Sequence, residues 1–379
     1  MSTRVLVLGA GFGGLEVTAG LSERFGSNIE ITLIERNEHF VFGFSKLDFM
    51  FGKRTKSAIK HGYGTLEKPG VRVVRASIEV IDPVAKRVTT DVGTFEADFL
   101  VVALGADLDP SATPGLVESG YEYYSYAGAV AAQTALENFT GGRIVIGVTG
   151  TPFKCPPAPS ETALMLHDYL ESRGIRKESE ISLVMPLPTP VPPLHEGSQA
   201  LLEAFATRGI RWFPKHSIER LDPETREVVC ADGQVFPFDL FLGVPTHVVP
   251  EVVANSGMAS DGWIPVDPLG LETNYPQVYA IGDVTSVGTP KAGIFAEGQG
   301  RVVVERITAH LNGTPTGVEY NGNGICYVGF DAQRVARFDV TFITGQRPYG
   351  IFDAPTAAIS QEKDDYAASR LVRWLGAES

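Results

Sequence analysis

Cysteine is scarce in this sequence: three among 379 residues, widely separated, with no CxxC or CxxxxC pair. That excludes a disulfide-stapled scaffold of the secreted type and a local dithiol motif. Basic charge is also short. Lys and Arg number 32 against 45 Asp and Glu, a net charge of −13. No basic stripe is there to neutralise phosphates, so a nucleic-acid partner is excluded. Attraction to anionic lipid is disfavoured for the same reason. No apolar run is long enough to span a bilayer. The opening residues show no charged region, apolar region and cleavage site in series, so no signal peptide is expected and the default compartment is the cytoplasm. No metal site is expected either.

What is present is the balance of a globular protein, 44% hydrophobic and 20% charged residues. The length suggests two or three packed domains. An apolar run, Val5 to Leu8, ends at Gly9-Ala10-Gly11-Phe12-Gly13-Gly14. A helical pattern (Leu15, Val17, Leu21) and a second apolar run, Ile29 to Ile34, follow, which makes a βαβ unit. In GxGxxG, Gly9 makes the tight turn, Gly11 lets backbone approach a pyrophosphate, and Gly14 packs helix on strand. The pyrophosphate then rests on the helix N-terminus. Glu35, about 20 residues on, is placed to accept from a ribose hydroxyl.

The chain also repeats itself. Residues 77–95 read Ser-Ile-Glu-Val-Ile-Asp-Pro with a turn at Gly93; residues 217–235 read Ser-Ile-Glu-Arg-Leu-Asp-Pro with a turn at Gly233. Each copy leads into an apolar strand, Phe99 to Ala103 and Leu240 to Val244. Two nucleotide-binding-type domains are expected, one inserted in the other. The proposed boundaries are 1–108 and 241–310 for the first domain, 109–240 for the insert, and 311–379 for a strand-rich C-terminal region. That region is expected to end in a short helix, Asp365 to Leu375. Its apolar stripe (Tyr366, Leu371, Trp374, Leu375) suits core packing and membrane-surface docking equally.

A distant segment, Thr273 to Asp283, reads as a strand running into a Gly282-Asp283 turn. It resembles the pyridine nucleotide-disulfide oxidoreductase superfamily, where this aspartate bonds the ribityl chain of FAD. A bare helix N-cap is the competing reading of Asp283. Gly105, after the strand at Phe99, resembles the superfamily's middle FAD motif. The resemblance implies two Rossmann-like domains of the glutathione-reductase type, the second inserted in the first, with a small C-terminal α+β region. Arg36, Ser77 and Ile78 complete the expected cofactor set.

The inserted domain departs from the pattern. After Ile144-Val145-Ile146, where a second GxGxxG would bind NAD(P)H, the chain reads Gly147 to Glu161 with four prolines and Cys155. The nicotinamide site is read as lost or converted. The run Gly-Thr-Pro-Phe-Lys-Cys-Pro-Pro-Ala-Pro-x-Glu, with Pro290-Lys291-Ala292-Gly293 and Gly324-Ile325-Cys326-Tyr327, is similar to the sulfide:quinone oxidoreductases and flavocytochrome c sulfide dehydrogenase flavoproteins. That resemblance implies a Cys155/Cys326 redox pair at one face of the flavin; two unrelated buried thiols are the alternative. Lys154 and the helix after Cys155 are expected to favour its thiolate.

By the same resemblance Glu161 moves protons, Lys291 faces the flavin, and His195 lies near the substrate or quinone path. The bland alternatives are a helix-start charge, a surface lysine and a surface histidine. Cys230 reads as a structural strand residue. A third family cysteine is missing from Tyr121 to Tyr126. The loop after Glu35 offers Phe42, Phe44 and Ser45 but no cysteine for a covalent flavin, so non-covalent FAD is expected. Sulfide oxidation with quinone or another acceptor is the leading expectation. A type-II NADH:quinone reductase and a non-catalytic flavin-binding protein are the alternatives. A homodimer and peripheral membrane contact stay open.

Overall fold

A computed structural model describes residues 2–376. Strand β1 (Thr3–Leu8) passes through the glycine turn into helix α1 (Phe12–Phe25) and then β2 (Ile29–Glu35). Strand β3 (Val71–Arg75), a three-stranded meander over 78–96, and β4 (Phe99–Val102) follow. The second unit has β5 (Gly142–Val148), α2 (Ala158–Ser172), β6 (Ser179–Met185), α3 (His195–Thr207) and β7 (Ile210–Pro214). Its own meander, over 218–237, leads into β8 (Leu240–Val244). The chain then returns to the first unit with β9 (Val278–Ala280) and α4 (Gly293–Asn312). It closes with an antiparallel sheet of β10 (Asn323–Gly329), β11 (Val335–Thr341) and β12 (Tyr349–Thr356), then helix α5 (Ala357–Leu375).

The first parallel sheet has the order β9-β4-β1-β2-β3. The second runs β8-β5-β6-β7, with the short strand Tyr121–Glu122 on the outer edge of β8. Both are covered on two faces, which is why their strands read as unbroken apolar runs instead of alternating ones. In β1, Val5 and Val7 join a core with α1, α4 and α5, while Leu6 and Leu8 join one with the first meander. In β5, Ile144 and Ile146 face the helices and Val145 faces the second meander. The repeated sequence thus gives a repeated layering.

Two boundaries differ from the sequence reading. Strand β8 belongs to the second sheet, so the return to the first unit falls after 244 and not at 241. Leu240 to Val244 gave no hint of which parallel sheet it joins, because buried strands of both look alike. Helix α5 starts at Ala357, eight residues before the expected Asp365, because the Thr356 hydroxyl caps it by accepting from the Ile359 amide at 3.1 Å. The apolar stripe of α5 turns inward, with Trp374 and Leu375 fully buried. Core packing accounts for it. Among the described residues no helix is long and apolar enough to cross a membrane.

Buried carboxylates rivet α5 to the first unit. Glu16 accepts from Trp374 Nε1 at 2.8 Å and from Arg373 Nη2 at 3.0 Å. Glu297 accepts from the Tyr366 hydroxyl at 2.7 Å and from Arg370 Nη2 at 2.8 Å.

Candidate functional site

A cavity of about 830 Å³ opens between the two sheets and the C-terminal layer. Its size suits a large cofactor together with a small substrate. One end is the first glycine turn. Gly9 has φ +92°, and a Cβ there would stand 2.6 Å from the Ala103 carbonyl oxygen. A Cβ on Gly14 would come within 1.9 Å of the Gly9 carbonyl oxygen, so helix and strand meet at glycine only. A Cβ on Gly11 would meet nothing within 4 Å. That bare backbone faces the cavity at the start of α1, as an anion site requires.

Gly9, Ala10, Gly11, Phe12, Gly13, Glu35, Arg36, Ile78, Gly105, Gly282 and Asp283 all line the cavity. Glu35 also braces the turn, since its Oε2 accepts from the Ala10 amide at 2.9 Å and its Oε1 from the Asn37 amide at 2.8 Å. Gly14 and Ser77 are not in the lining. Gly14 works from behind, and the Ser77 amide is bonded to Asp91 at 2.8 Å in the meander. Burial raises the Asp283 carboxyl above its usual range, against the lowering pull of Lys154, Lys291 and Lys46.

The other end is built on sulfur. Cys155 precedes α2 in a left-handed conformation, φ +49°, which a non-glycine residue adopts at a cost. Its amide donates to the Lys291 carbonyl at 2.7 Å, and its own carbonyl accepts from the Ala158 amide at 2.8 Å. Cys326, on β10, lines the same cavity, and both sulfurs are free thiols. Glu161, 3% exposed, lines the same cavity; its Oε1 accepts from the Gly329 amide at 2.8 Å and stands 3.6 Å from Lys363 Nζ. Burial raises the Glu161 carboxyl despite Lys363.

The expected low thiol pKa is not what the geometry produces. Burial, reinforced by the neighbouring Cys326 and Glu161, pushes the Cys155 thiol well above its ordinary value. Burial pushes Cys326 up to about 12. The Lys154 ammonium is directed at the Ala106 carbonyl, to which it donates at 2.5 Å.

Two expected residues stand elsewhere. The Lys291 ammonium is turned away from the cavity lining; it donates to the Asp283 carbonyl at 2.5 Å and lies 3.2 Å from the Trp263 ring centroid. It locks the Gly-Asp turn from behind. His195 is an exposed residue at the start of α3 and lies off the cavity.

The sequence reading missed four residues. Buried His247 donates Nδ1–H to the Pro245 carbonyl at 2.8 Å, leaving Nε2 to accept from the Lys154 amide at 3.4 Å. Burial and nearby lysines lower its pKa to about 3, so it is neutral. Its place just past the C-terminal end of β8 was the available signal. Lys46 lines the cavity and donates to the Tyr124 carbonyl; burial first, then Lys154, lowers its pKa to about 8. Tyr123 and Tyr124 also line the cavity, and their buried hydroxyls have no partner.

The sequence matches the pyridine nucleotide-disulphide oxidoreductase family over residues 3–303. The chain belongs to that family. Membership implies a flavin cofactor, and the open Gly11 backbone, the Asp283 carboxyl and the cavity volume fit one. Among curated relatives, mitochondrial sulfide:quinone oxidoreductase of Mus musculus is 26% identical over 89% of this chain and 78% of its own. The sulfide-quinone reductase of Aquifex aeolicus is 26% identical over 87% of this chain and 82% of its own. The crystal structure of sulfide:quinone oxidoreductase from Aquifex aeolicus superposes with a TM-score of 0.88 at 23% identity, covering 98% and 92% of the two chains. NDH2 from Plasmodium falciparum in complex with NADH gives 0.75 at 12% identity, covering 97% of this chain and 94% of its own. Both structural likenesses concern the fold.

Proposed function

We propose that this oxidoreductase oxidises sulfide at the Cys155/Cys326 pair and delivers the electrons, through non-covalently held FAD, to a quinone. The observation that carries the reading is the meeting of both thiols and Glu161 in the cavity that the glycine turn and Asp283 share. Similarity to sulfide:quinone oxidoreductases over most of both chains supports it. Prolines replace the second glycine turn, which leaves no backbone cradle for a nicotinamide dinucleotide.

When bound, the flavin supplies the two-electron acceptor between sulfur and quinone. Gly11 and the start of α1 receive the pyrophosphate, Glu35 a ribose, and Asp283 the ribityl chain. Hydrosulfide attacks a Cys155–Cys326 disulfide, forming a persulfide on Cys155 and releasing Cys326 as the thiolate. Glu161, protonated beyond the usual carboxyl range, holds the proton that the sulfur species exchange. Cys230 lies off the cavity, and the loop at Phe42 to Ser45 has no cysteine to tether the flavin, which is therefore held without a covalent bond. A quinone acceptor goes with a cytoplasmic protein that touches a membrane surface peripherally.

The test is anaerobic stopped-flow bleaching of the flavin band by sulfide in wild type and Cys155→Ser. Loss of about 100-fold or more in the variant, with dithionite reduction unchanged, is expected when the sulfur that accepts hydrosulfide is removed. Equal rates in the two proteins, or bleaching by NADH instead of sulfide, overturn the reading.

A further inference from the structure

The second meander carries a constellation that the sulfur chemistry does not use. His216 follows β7, Cys230 ends the middle meander strand, and Asp232 sits in the hairpin turn beyond it. One ligand atom from each, nitrogen, sulfur and oxygen, lies within 4.8 Å of the others. Cys230 is 1% exposed, so the thiol forms the floor, while exposed Asp232 stands at the mouth. The Asp232 carboxylate is oriented from both ends: Oδ1 accepts from the Gln234 amide at 3.0 Å, and Oδ2 lies 2.7 Å from His216 Nδ1. The imidazole is held edge-on by Phe236, 5.6 Å between centroids. None of the three lines the flavin cavity.

The internal repeat supplies a control. In the first meander Thr90 pairs with Ile78 as Cys230 pairs with Ile218. The Asp91 amide donates to the Ser77 carbonyl as the Ala231 amide does to that of Ser217. The backbones correspond, and the residues at the three positions in the first copy are Ala76, Thr90 and Val92. The meander therefore forms without any of the three side chains. All three positions, one on the segment after β7 and two in the hairpin, carry a metal-ligand type in the second copy and none in the first.

We propose that His216, Cys230 and Asp232 form a structural site for a zinc-class divalent cation, with solvent completing a tetrahedron. A thiolate with an imidazole and one carboxylate suits zinc, whereas calcium and magnesium take oxygen ligands and refuse sulfur. Binding replaces the Cys230 S–H bond by a sulfur–metal bond, and the proton leaves to solvent. The cation ties the segment after β7 to the hairpin turn, adding to the Ala231–Ser217 main-chain bond and the His216–Asp232 contact that already join them.

The test is zinc titration of the flavin-loaded full chain against a chromophoric chelator. It is done in a Cys155→Ser/Cys326→Ser background so that the cavity thiols do not compete. One equivalent bound with Kd below about 1 µM is expected. The first-copy residues are then introduced one at a time. Cys230→Thr and His216→Ala are expected to weaken binding by about 100-fold, while the metal-free melting temperature stays unchanged. Cobalt in place of zinc gives a near-ultraviolet thiolate charge-transfer band, absent in Cys230→Thr. No binding tighter than about 100 µM, or unweakened binding in both variants, overturns the site.

Discussion

The amide of Cys155 donates to the carbonyl of Lys291 at 2.7 Å, and Lys154 and Lys291 form an isolated parallel bridge. Main chain thus ties the cysteine loop of the inserted unit to Lys291 of the first, whose side chain in turn holds the Gly-Asp turn. The thiol is placed by backbone in the same cavity that the Asp283 carboxylate lines. The lysine side chain, expected at the flavin, instead braces this joint.

Glycines 11 and 14 are expected to fail differently. Gly14→Ala drives a Cβ to 1.9 Å from the Gly9 carbonyl, so the protein loses stability and soluble yield. Gly11→Val points into open space, so the chain folds with a near-normal apo melting temperature but is isolated without flavin. The flavin absorbance per chain, set beside the thermal melt, separates the two.

Tyr124→Phe removes a buried hydroxyl that has no partner. Leaving such a group unpaired costs about 1–3 kcal/mol, so the apo variant is expected to be at least as stable as wild type. If the hydroxyl serves sulfur bound beside Cys155, sulfide bleaching slows about tenfold while dithionite reduction does not. Denaturant melts and stopped-flow traces read the two effects separately.

Lys46 titrates at about 8 because burial opposes its charge, and nearby Lys154 adds to that. Its ammonium is present below that pH and lost above it. Attraction of anionic sulfur to the cavity should therefore decline as pH rises through about 8, seen as a rising sulfide KM. Lys46→Met is expected to remove this contribution, read as the difference between the wild-type and variant KM profiles across the same window.

Glu16 controls how α5 is held. Burial works to raise its pKa, but the bonds from Arg373 and Trp374 outweigh it and the net shift is downward. A depressed carboxylate contributes stability that is present above its unfolded pKa and lost as pH falls through its lower folded value. Glu16→Gln keeps a hydrogen-bond acceptor but leaves Arg373 less compensated, costing about 1–3 kcal/mol at pH 7. The deficit should shrink below pH 4, as measured by urea unfolding across pH.

Much of the site could be read where chemistry is local. The glycine turn and Glu35 are shaped by their own segment, with Gly9 at φ +92° and Glu35 bonded to the Ala10 amide. Side-chain roles were less legible. Lys291 and His195 were assigned by resemblance, and the structure turns one to the Gly-Asp turn and the other to solvent. Lys46 and the tyrosine pair were missed because nothing in their own sequence neighbourhood says which cavity they face.

The sequence by itself determined the two parallel sheets, their meanders and the glycine-borne cofactor end, because periodicity, turn chemistry and internal repetition are properties of short stretches. Only the tertiary structure decided the sulfur end. The meeting of Cys155, Cys326, Glu161 and Lys363 requires the insert, the C-terminal sheet and α5 to converge on one cavity. The burial that results sets the thiol pKa against the neighbouring lysine and helix, and desolvation wins.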